Sequence, residues 1–548
     1  MAKATRYTPE LVREYFDKGY WEPTTFSDLW DRNAREYPDK EAVTDSESRL
    51  TWSQANLAAD RLALGLMDMG LKKDDLIILQ LPNNLDLFLL RVACEKAGIL
   101  CMPVLRTYRE REISYFIGQT KAAAIAIPLE FRGFNYLDMV RKMAPRFPHL
   151  KHILISGDQA PAGTVSLASL REEPIERKLP REVLQKTKTP ATEFSLVLLT
   201  TGSTGTPKFV ESPICATMCR ERALVKKLGF TSQDVYGILS PVGGGVNSRG
   251  YYGVAIVAGK TVIQDRFDAE DALRLIEKEG ITFAFFAPAQ LALMLKHPNL
   301  EKYDLSSLRL IWTGSAPVPP DLAVEAEKKL CKIIQGYSSI DCSVTCIPDA
   351  DDPMETRLFT AGKPYAFGEL KLRDDEGREV PQGEVGEVWL RGPAAASGYF
   401  NDPETTWNNW TKDGWFRMGD LGKLDRNGNL VLVGRKKEVI NRGGQKIFPK
   451  EVEDLLSWHP KVATVALVGM PDPVMGEKAC AFVVPKPGQI LTFKEMLDYL
   501  AQQGIAAYKL PERLEIVEKM PLVGDGMKID KKVLMKEIAE KLKTEVKI

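Results

Sequence analysis

The chain is poor in the residues that build metal centres and disulfide frames. Its four histidines, His149, His152, His297 and His459, are scattered and form no ligand-spaced cluster with cysteine, which argues against zinc. The eight cysteines, Cys94, Cys101, Cys215, Cys219, Cys331, Cys342, Cys346 and Cys480, contain no Cys-x-x-Cys pair and stand mostly in apolar surroundings. That is the usage of reduced, buried thiols in a cytoplasmic protein. An excess of charge is also missing: Lys+Arg 74 against Asp+Glu 74 leaves a net charge of zero, so neither nucleic acid nor an anionic membrane is favoured as a partner. The longest apolar stretch, 281–295, falls short of the ~18 residues of a membrane span and carries Gln290. The N-terminus, MAKATRYTPELVREYF, is charged throughout and lacks the apolar core of a signal peptide.

What is present is length and alternation. With 548 residues the chain exceeds the ~250–300 at which single cores stop growing, so more than one domain is expected. Residues 75–81, 84–97 and 99–104 read as strand, helix, strand, and segments 122–127 and 152–156 continue the alternation. It resumes at 214–227, 234–239, 253–257, 261–264, 269–278 and 283–287, which predicts a large doubly wound α/β domain. Residues 161–192, rich in Pro, Glu, Arg and Lys, read as an exposed connection. From 362 to about 434, short strands and turns predict a small β-rich subdomain, and 437–548 reads as a smaller, separate α+β domain.

The most informative stretch is 198–208, LLTTGSTGTPK. Seven consecutive hydroxyl or glycine residues, Thr200, Thr201, Gly202, Ser203, Thr204, Gly205 and Thr206, can surround a polyphosphate with backbone amides and hydroxyls, and Lys208 adds a positive charge. It is not a Walker A loop. Pro207 precedes the lysine, no Ser or Thr follows it, and the proline turns the chain away from a helix.

This loop resembles that of the adenylate-forming superfamily of acyl- and aryl-CoA synthetases, peptide-synthetase adenylation domains and beetle luciferases. Further motifs carry the resemblance: WTGSAPV at 312–318, QGYSSID at 335–341, GWFRMGD at 414–420, VGRKKEVINRGGQKIFPKEVE at 433–453 and PLVGDGMKIDKK at 521–532. It runs from about Thr25 to the C-terminus. In that family Gly314, Ser315 and Ala316 and the turn Gln335, Gly336, Tyr337, Ser338, Ser339 hold the adenine, with Tyr337 stacked on it. Asp341 stands where the family has a glutamate binding Mg²⁺ at the ATP phosphates, and Ile340 replaces the usual Thr or Ala. Asp420 would accept hydrogen bonds from the ribose diol, and Arg435 would lie at the ribose and phosphates.

The resemblance also implies a hinge at Lys437, with domains 1–436 and 437–548, the second mobile. Arg442, Gly443 and Gly444 correspond to a loop that lines the tunnel for coenzyme A. Lys528 aligns with the lysine of the adenylation step, although Met527 intervenes after Gly526, and Lys531 and Lys532 are the fallback. The implied activity is ATP- and Mg²⁺-dependent activation of a carboxylic acid followed by transfer to coenzyme A. The alternatives are loading of a separate carrier protein, or a non-catalytic nucleotide-binding relative.

The acyl pocket implied by the resemblance includes Gly244, Gly245, Val246, Asn247, Trp312 and Gly336. Its segments PVGGGVNSRG, AFFAPAQ and IWTG carry no charge except Arg249. A compact apolar acid of benzoate or cyclohexanecarboxylate type is expected, with medium-chain fatty acids left open. Dihydroxybenzoate-activating relatives commonly carry Asn at the Gly245 position, which argues against that substrate. A homodimer is compatible with the sequence, which does not decide oligomeric state.

Overall fold

The computed structural model describes residues 6–158, 160–200, 207–240, 247–314, 318–523 and 528–545, with the side chains of Val523 and Lys528 not among them. Two parallel sheets form the body. The first runs Leu100–Pro103, Leu76–Leu79, Ala124–Pro128, His152–Ser156, Val165–Ser166, all parallel. The second runs Lys332–Gln335, Leu310–Thr313, Phe283–Phe286, Val235–Ile238, Lys260–Ile263, Glu41–Thr44, Arg49–Thr51, parallel except for the last pair. Strands sandwiched between helices are buried on both faces, hence unbroken apolar runs such as LIIL at 76–79 and FAFF at 283–286.

The helix Leu85–Ala97 is buried along its whole length. Asn84 caps it by accepting the Leu87 N–H at 3.1 Å, and Gly98 ends it at φ 72°, a left-handed conformation suited to glycine. Its polar residues are satisfied within the fold: Lys96 Nζ reaches Asp31, Asn56 and Asp60 at 2.6, 2.7 and 2.6 Å.

The stretch 161–192 is not the exposed connection expected from its charges. It adds the strand Val165–Ser166 to the first sheet and the helix Leu167–Glu172 beside Trp52–Asp68, where Leu170 meets Gly65. Leu167, Ile175 and Leu184 are buried. Sparse leucines among many charges suffice to pin the segment down.

Beyond the body, Glu369–Arg373, Gly386–Arg391, Phe416–Leu424 and Leu430–Arg435 form a four-stranded antiparallel sheet. The C-terminal part is a sheet of Gln445–Ile447, Ile440–Arg442, Gly476–Pro485, Val462–Asp472 and Arg513–Ile516, with helices Pro449–Ser457, Phe493–Gln502 and Lys531–Glu545. The molecule is thus a large α/β domain with a small C-terminal domain. No helix among the described residues is long and apolar enough to cross a membrane.

Candidate active site

The strands Val197–Thr200 and Lys208–Glu211 pair antiparallel with Thr200 opposite Lys208, as the two arms of a hairpin. As Pro207 requires, a strand and not a helix follows the loop. Thr201, Gly202, Ser203, Thr204, Gly205 and Thr206 lie outside the described residues, as do Gly244, Gly245, Val246, Ser315 and Ala316. At the base of these strands, Thr200 is buried and its Oγ1 has no hydrogen-bond partner among the described residues. Such an atom is costly to leave unmet and marks a place where a ligand or water belongs.

Lys208 faces a residue that motif reasoning missed. Tyr399, on the strand Gly398–Tyr399 that extends the hairpin sheet, donates its hydroxyl to Asp341 Oδ1 at 2.6 Å, and Lys208 Nζ donates to the same hydroxyl at 3.3 Å. Burial, then the charge of Asp341, raises the Tyr399 hydroxyl pKa far above its ordinary value, so it remains a donor. Asp341 and Lys208, 133 residues apart, are therefore joined through one tyrosine.

A second acid is held the same way. Tyr337 donates its hydroxyl to Asp420 Oδ2 at 2.6 Å, and Arg435 Nε stands 3.4 Å from Oδ1. Asp420 and Arg435 are direct neighbours across the strands Phe416–Leu424 and Leu430–Arg435. Burial and then Asp420 raise the Tyr337 hydroxyl well above its usual range. Backbone bonds in both directions between Tyr337 and Cys346 fix the turn. Within it, the Cys342 N–H donates to Ser339 Oγ at 3.1 Å and Ser338 Oγ donates to the Val344 carbonyl at 3.2 Å.

The turn follows Lys332–Gln335, so this side of the site lies at the carboxyl ends of the parallel strands, the usual ligand crevice of such sheets. Gln335 donates to the Leu358 carbonyl. Two glycines here are dictated by close approach: a Cβ on Gly336 would stand 2.4 Å from Trp312 Cζ2, and one on Gly314 3.0 Å from the Gly336 carbonyl oxygen. Asn247 donates to the Ser240 carbonyl at 3.0 Å, and its Oδ1 has no partner among the described residues.

The residues expected to serve the thiol do not join this constellation. Arg442 is ion-paired with Glu512 at 2.6 Å, and the Gly443 N–H donates to the Met475 carbonyl. Gly443 and Gly444, at φ 55° and 87°, make the turn between Ile440–Arg442 and Gln445–Ile447. Lys437 sits in the single turn Lys436–Glu438 that leaves Leu430–Arg435. The backbone of Lys528 pairs with Val523, and its side chain lies outside the described set. Of the two fallback lysines, Lys531 lies 2.7 Å from Glu453 and 3.0 Å from Glu438. Burial opposes its charge, but the two carboxylates outweigh this and raise its pKa, so it is committed within its own domain.

Among the described residues no cage of three or more His, Cys, Asp or Glu side chains exists. A single carboxylate beside a phosphate site is nonetheless a fitting partner for Mg²⁺, which takes one or two carboxylates and completes its shell with phosphate oxygens and water.

Comparison with known proteins places these observations. The family described as AMP-binding enzyme matches residues 30–400, and its C-terminal domain matches residues 451–526. The 2,3-dihydroxybenzoate-AMP ligase of Bacillus subtilis is 32% identical over 98% of both chains. The medium-chain fatty-acid–CoA ligase of Escherichia coli is 31% identical over 97% of this chain and 94% of the relative. The structure of an amide bond synthetase from Marinactinospora thermotolerans superimposes with a TM-score of 0.83 at 25% identity, covering 93% of this chain and 99% of that one.

Proposed function

The chain belongs to the AMP-binding enzyme family, the adenylate-forming ligases, and from that premise we propose that it is an AMP-forming acyl-CoA ligase for a small aromatic or alicyclic carboxylic acid. The observation that carries the reading is the pair of tyrosine-held acids, Asp420 beside Arg435 and Asp341 linked through Tyr399 to Lys208. Asp341 would serve the phosphate end of ATP and Asp420 its ribose.

In the first step an oxygen of the substrate carboxylate bonds to the α-phosphorus. The bond to the bridging oxygen breaks, and pyrophosphate departs with the electron pair. Both reactants are anionic, so the chain's task is to align them and meet the charge. Lys208 and the hairpin amides meet the phosphates, Tyr337 stacks on adenine, and Asp420 takes the ribose hydroxyls, since a carboxylate accepts two hydrogen bonds at once. Lys528 stabilises the α-phosphoryl oxygens without losing its proton. Asp341 would hold Mg²⁺, which would supply charge neutralisation on the phosphates. In the second step a thiol sulfur bonds to the acyl carbon, the carbon–oxygen bond to AMP breaks, and the thiol proton passes to solvent.

Lys528 and the Arg442–Gly444 turn lie on the same small domain. A rotation about Lys437 would exchange one for the other between half-reactions, with the domain boundary at 436/437. Coenzyme A is the simpler thiol. The specific observation in favour of a second reading, loading of a carrier protein, is that the Bacillus subtilis relative is by name an AMP ligase.

The test is acid-dependent exchange of pyrophosphate into ATP with no thiol present, then AMP release with coenzyme A or with a pantetheinylated carrier protein. No exchange with any small carboxylic acid overturns the ligase reading. Exchange with release only on the carrier replaces coenzyme A as the acceptor.

A further inference from the structure

We infer that the acid pocket ends on a buried polar floor formed by Glu221, Asn247 and Arg249, and that the chain therefore selects an acid bearing a hydroxyl or neutral amino group in addition to its carboxylate. The inference rests on the acid-activating reading above and names its substrate class.

The floor joins the pocket at Trp312. One edge of the indole lies against Gly336, and the Arg249 guanidinium stacks on the ring 3.8 Å from a ring centroid. Arg249 follows Ser248, whose hydroxyl donates to Glu221 Oε1 at 2.8 Å, and Arg220 also donates to Oε1. Glu221 stands on the helix Ile214–Leu228, which packs against the Arg249–Gly253 turn. It is 0% exposed, and its Oε2 has no hydrogen-bond partner among the described residues. Asn247 is 1% exposed, and its Oδ1 is likewise unmatched among the described residues.

A carboxylate oxygen buried without a donor is strongly disfavoured, and native structures keep such atoms where a ligand or water meets them. Both of these unmatched atoms are acceptors, so a complement that meets them must donate; the buried Tyr365 hydroxyl nearby is also without a hydrogen-bond partner among the described residues. A hydroxyl can do so and can also accept from Arg249, whereas a neutral amino group serves the two acceptors alone. A cationic amine would meet Arg220 and Arg249, and a bare hydrocarbon would leave Glu221 Oε2 unmet in a dry site, its Oε1 being paired with Arg220 at 3.0 Å. The neighbouring phenols stay neutral at ordinary pH: burial raises both Tyr236 and Tyr365 against the opposing pull of Arg249, Tyr365 to about 12.

The charged residue named from the sequence, Arg249, thus has company that pocket motifs do not reveal. Glu221 and Arg220 come from a helix that precedes the pocket segments in the chain.

The test is the pyrophosphate exchange assay with benzoate, its 2-, 3- and 4-hydroxy and amino derivatives, cyclohexanecarboxylate and decanoate. The best hydroxy or amino acid should exceed benzoate in kcat/KM by about 100-fold or more, since a site built for a hydroxyl rejects the analogue lacking it. Glu221→Gln, which turns one acceptor into a donor, should cut that ratio at least about tenfold. Should the variant fail to fold, wild-type affinity for the acyl-sulfamoyl adenosine of the preferred acid against that of benzoate gives the same comparison. Equal use of benzoate and all its derivatives, or a ratio unmoved in Glu221→Gln, overturns the inference and leaves the ligase reading standing. No exchange with any acid removes the ligase reading, and the inference with it.

Discussion

The side chains on the two sides of the proposed nucleotide site are held in opposite ways. On the large domain, Asp341 and Asp420 each accept a 2.6 Å hydrogen bond from a buried tyrosine, so the acids are oriented with no ligand needed to order them. On the small domain, the groups proposed to act are turned toward their own fold: Arg442 pairs with Glu512, Gly443 bonds to Met475, and Lys531 is enclosed by Glu438 and Glu453. A fixed side supplies geometry and a side occupied elsewhere must exchange partners. The body would then contribute to both half-reactions, and the small domain to one at a time.

The sharpest break between the two sides is expected at Lys528. Lys528→Ala should lower pyrophosphate exchange by roughly two to three orders of magnitude, the usual cost of removing one preorganised charge-stabilising group. It should still convert pre-made acyl-AMP to thioester, and equal loss of both steps would sink the idea of one domain with two working faces. The converse variant, Arg442→Ala, should slow the thioester step roughly 10- to 100-fold while exchange stays within a few-fold of wild type. If exchange drops as far as thioester formation, Arg442 belongs to the fixed side.

A milder prediction concerns the fixed side itself. Tyr399→Phe removes the hydroxyl between Asp341 and Lys208 while keeping the buried ring, so Mg²⁺-dependent binding of ATP should weaken about tenfold. Binding of AMP, which lacks the outer phosphates, should hardly change. A fluorescent-nucleotide competition read with both ligands separates this positioning role from general loosening, which would weaken both alike.

How much of this was legible in the sequence follows from how local each signal is. The alternation of apolar runs with amphipathic helices forecast the sheets, and Pro207 alone forecast that no helix follows the phosphate loop. Motif strings picked out Tyr337, Asp341, Asp420 and Arg435, three of which meet at the Asp420 carboxylate. Tyr399 was not legible, because its partner strand is the Lys208–Glu211 segment and its hydrogen bond spans 58 residues to Asp341. The packing of 161–192 was hidden for a different reason: leucines too sparse to form a period still become a core when a helix with Gly65 lies opposite.

The smallest effect on turnover, and the clearest test of how firmly the fixed side is held, lies at Glu95. It is buried and accepts the Ser27 N–H at 2.6 Å and the Ser195 hydroxyl at 3.3 Å, just ahead of the strand that leads to Thr200. Burial raises its carboxyl from 4.5 to about 7, outweighing these hydrogen bonds, while the nearby charge of Asp28 pushes the same way. A carboxyl whose folded pKa is raised favours the fold fully below its unfolded value, and that contribution is lost as pH rises through the folded one. From pH 5 to pH 8 the wild type should therefore lose roughly 2 to 3 kcal/mol relative to Glu95→Gln, which keeps an acceptor for Ser27 and stays neutral. Urea denaturation of both proteins at the two pH values measures this, and a gap that does not change with pH would mean that Glu95 does not titrate in this window. If the gap opens as expected while pyrophosphate exchange at pH 8 stays within a few-fold between the two proteins, the body has stability to spare. The fixed side would then keep its geometry even with an unfavourable charge beside the strand that leads to Thr200.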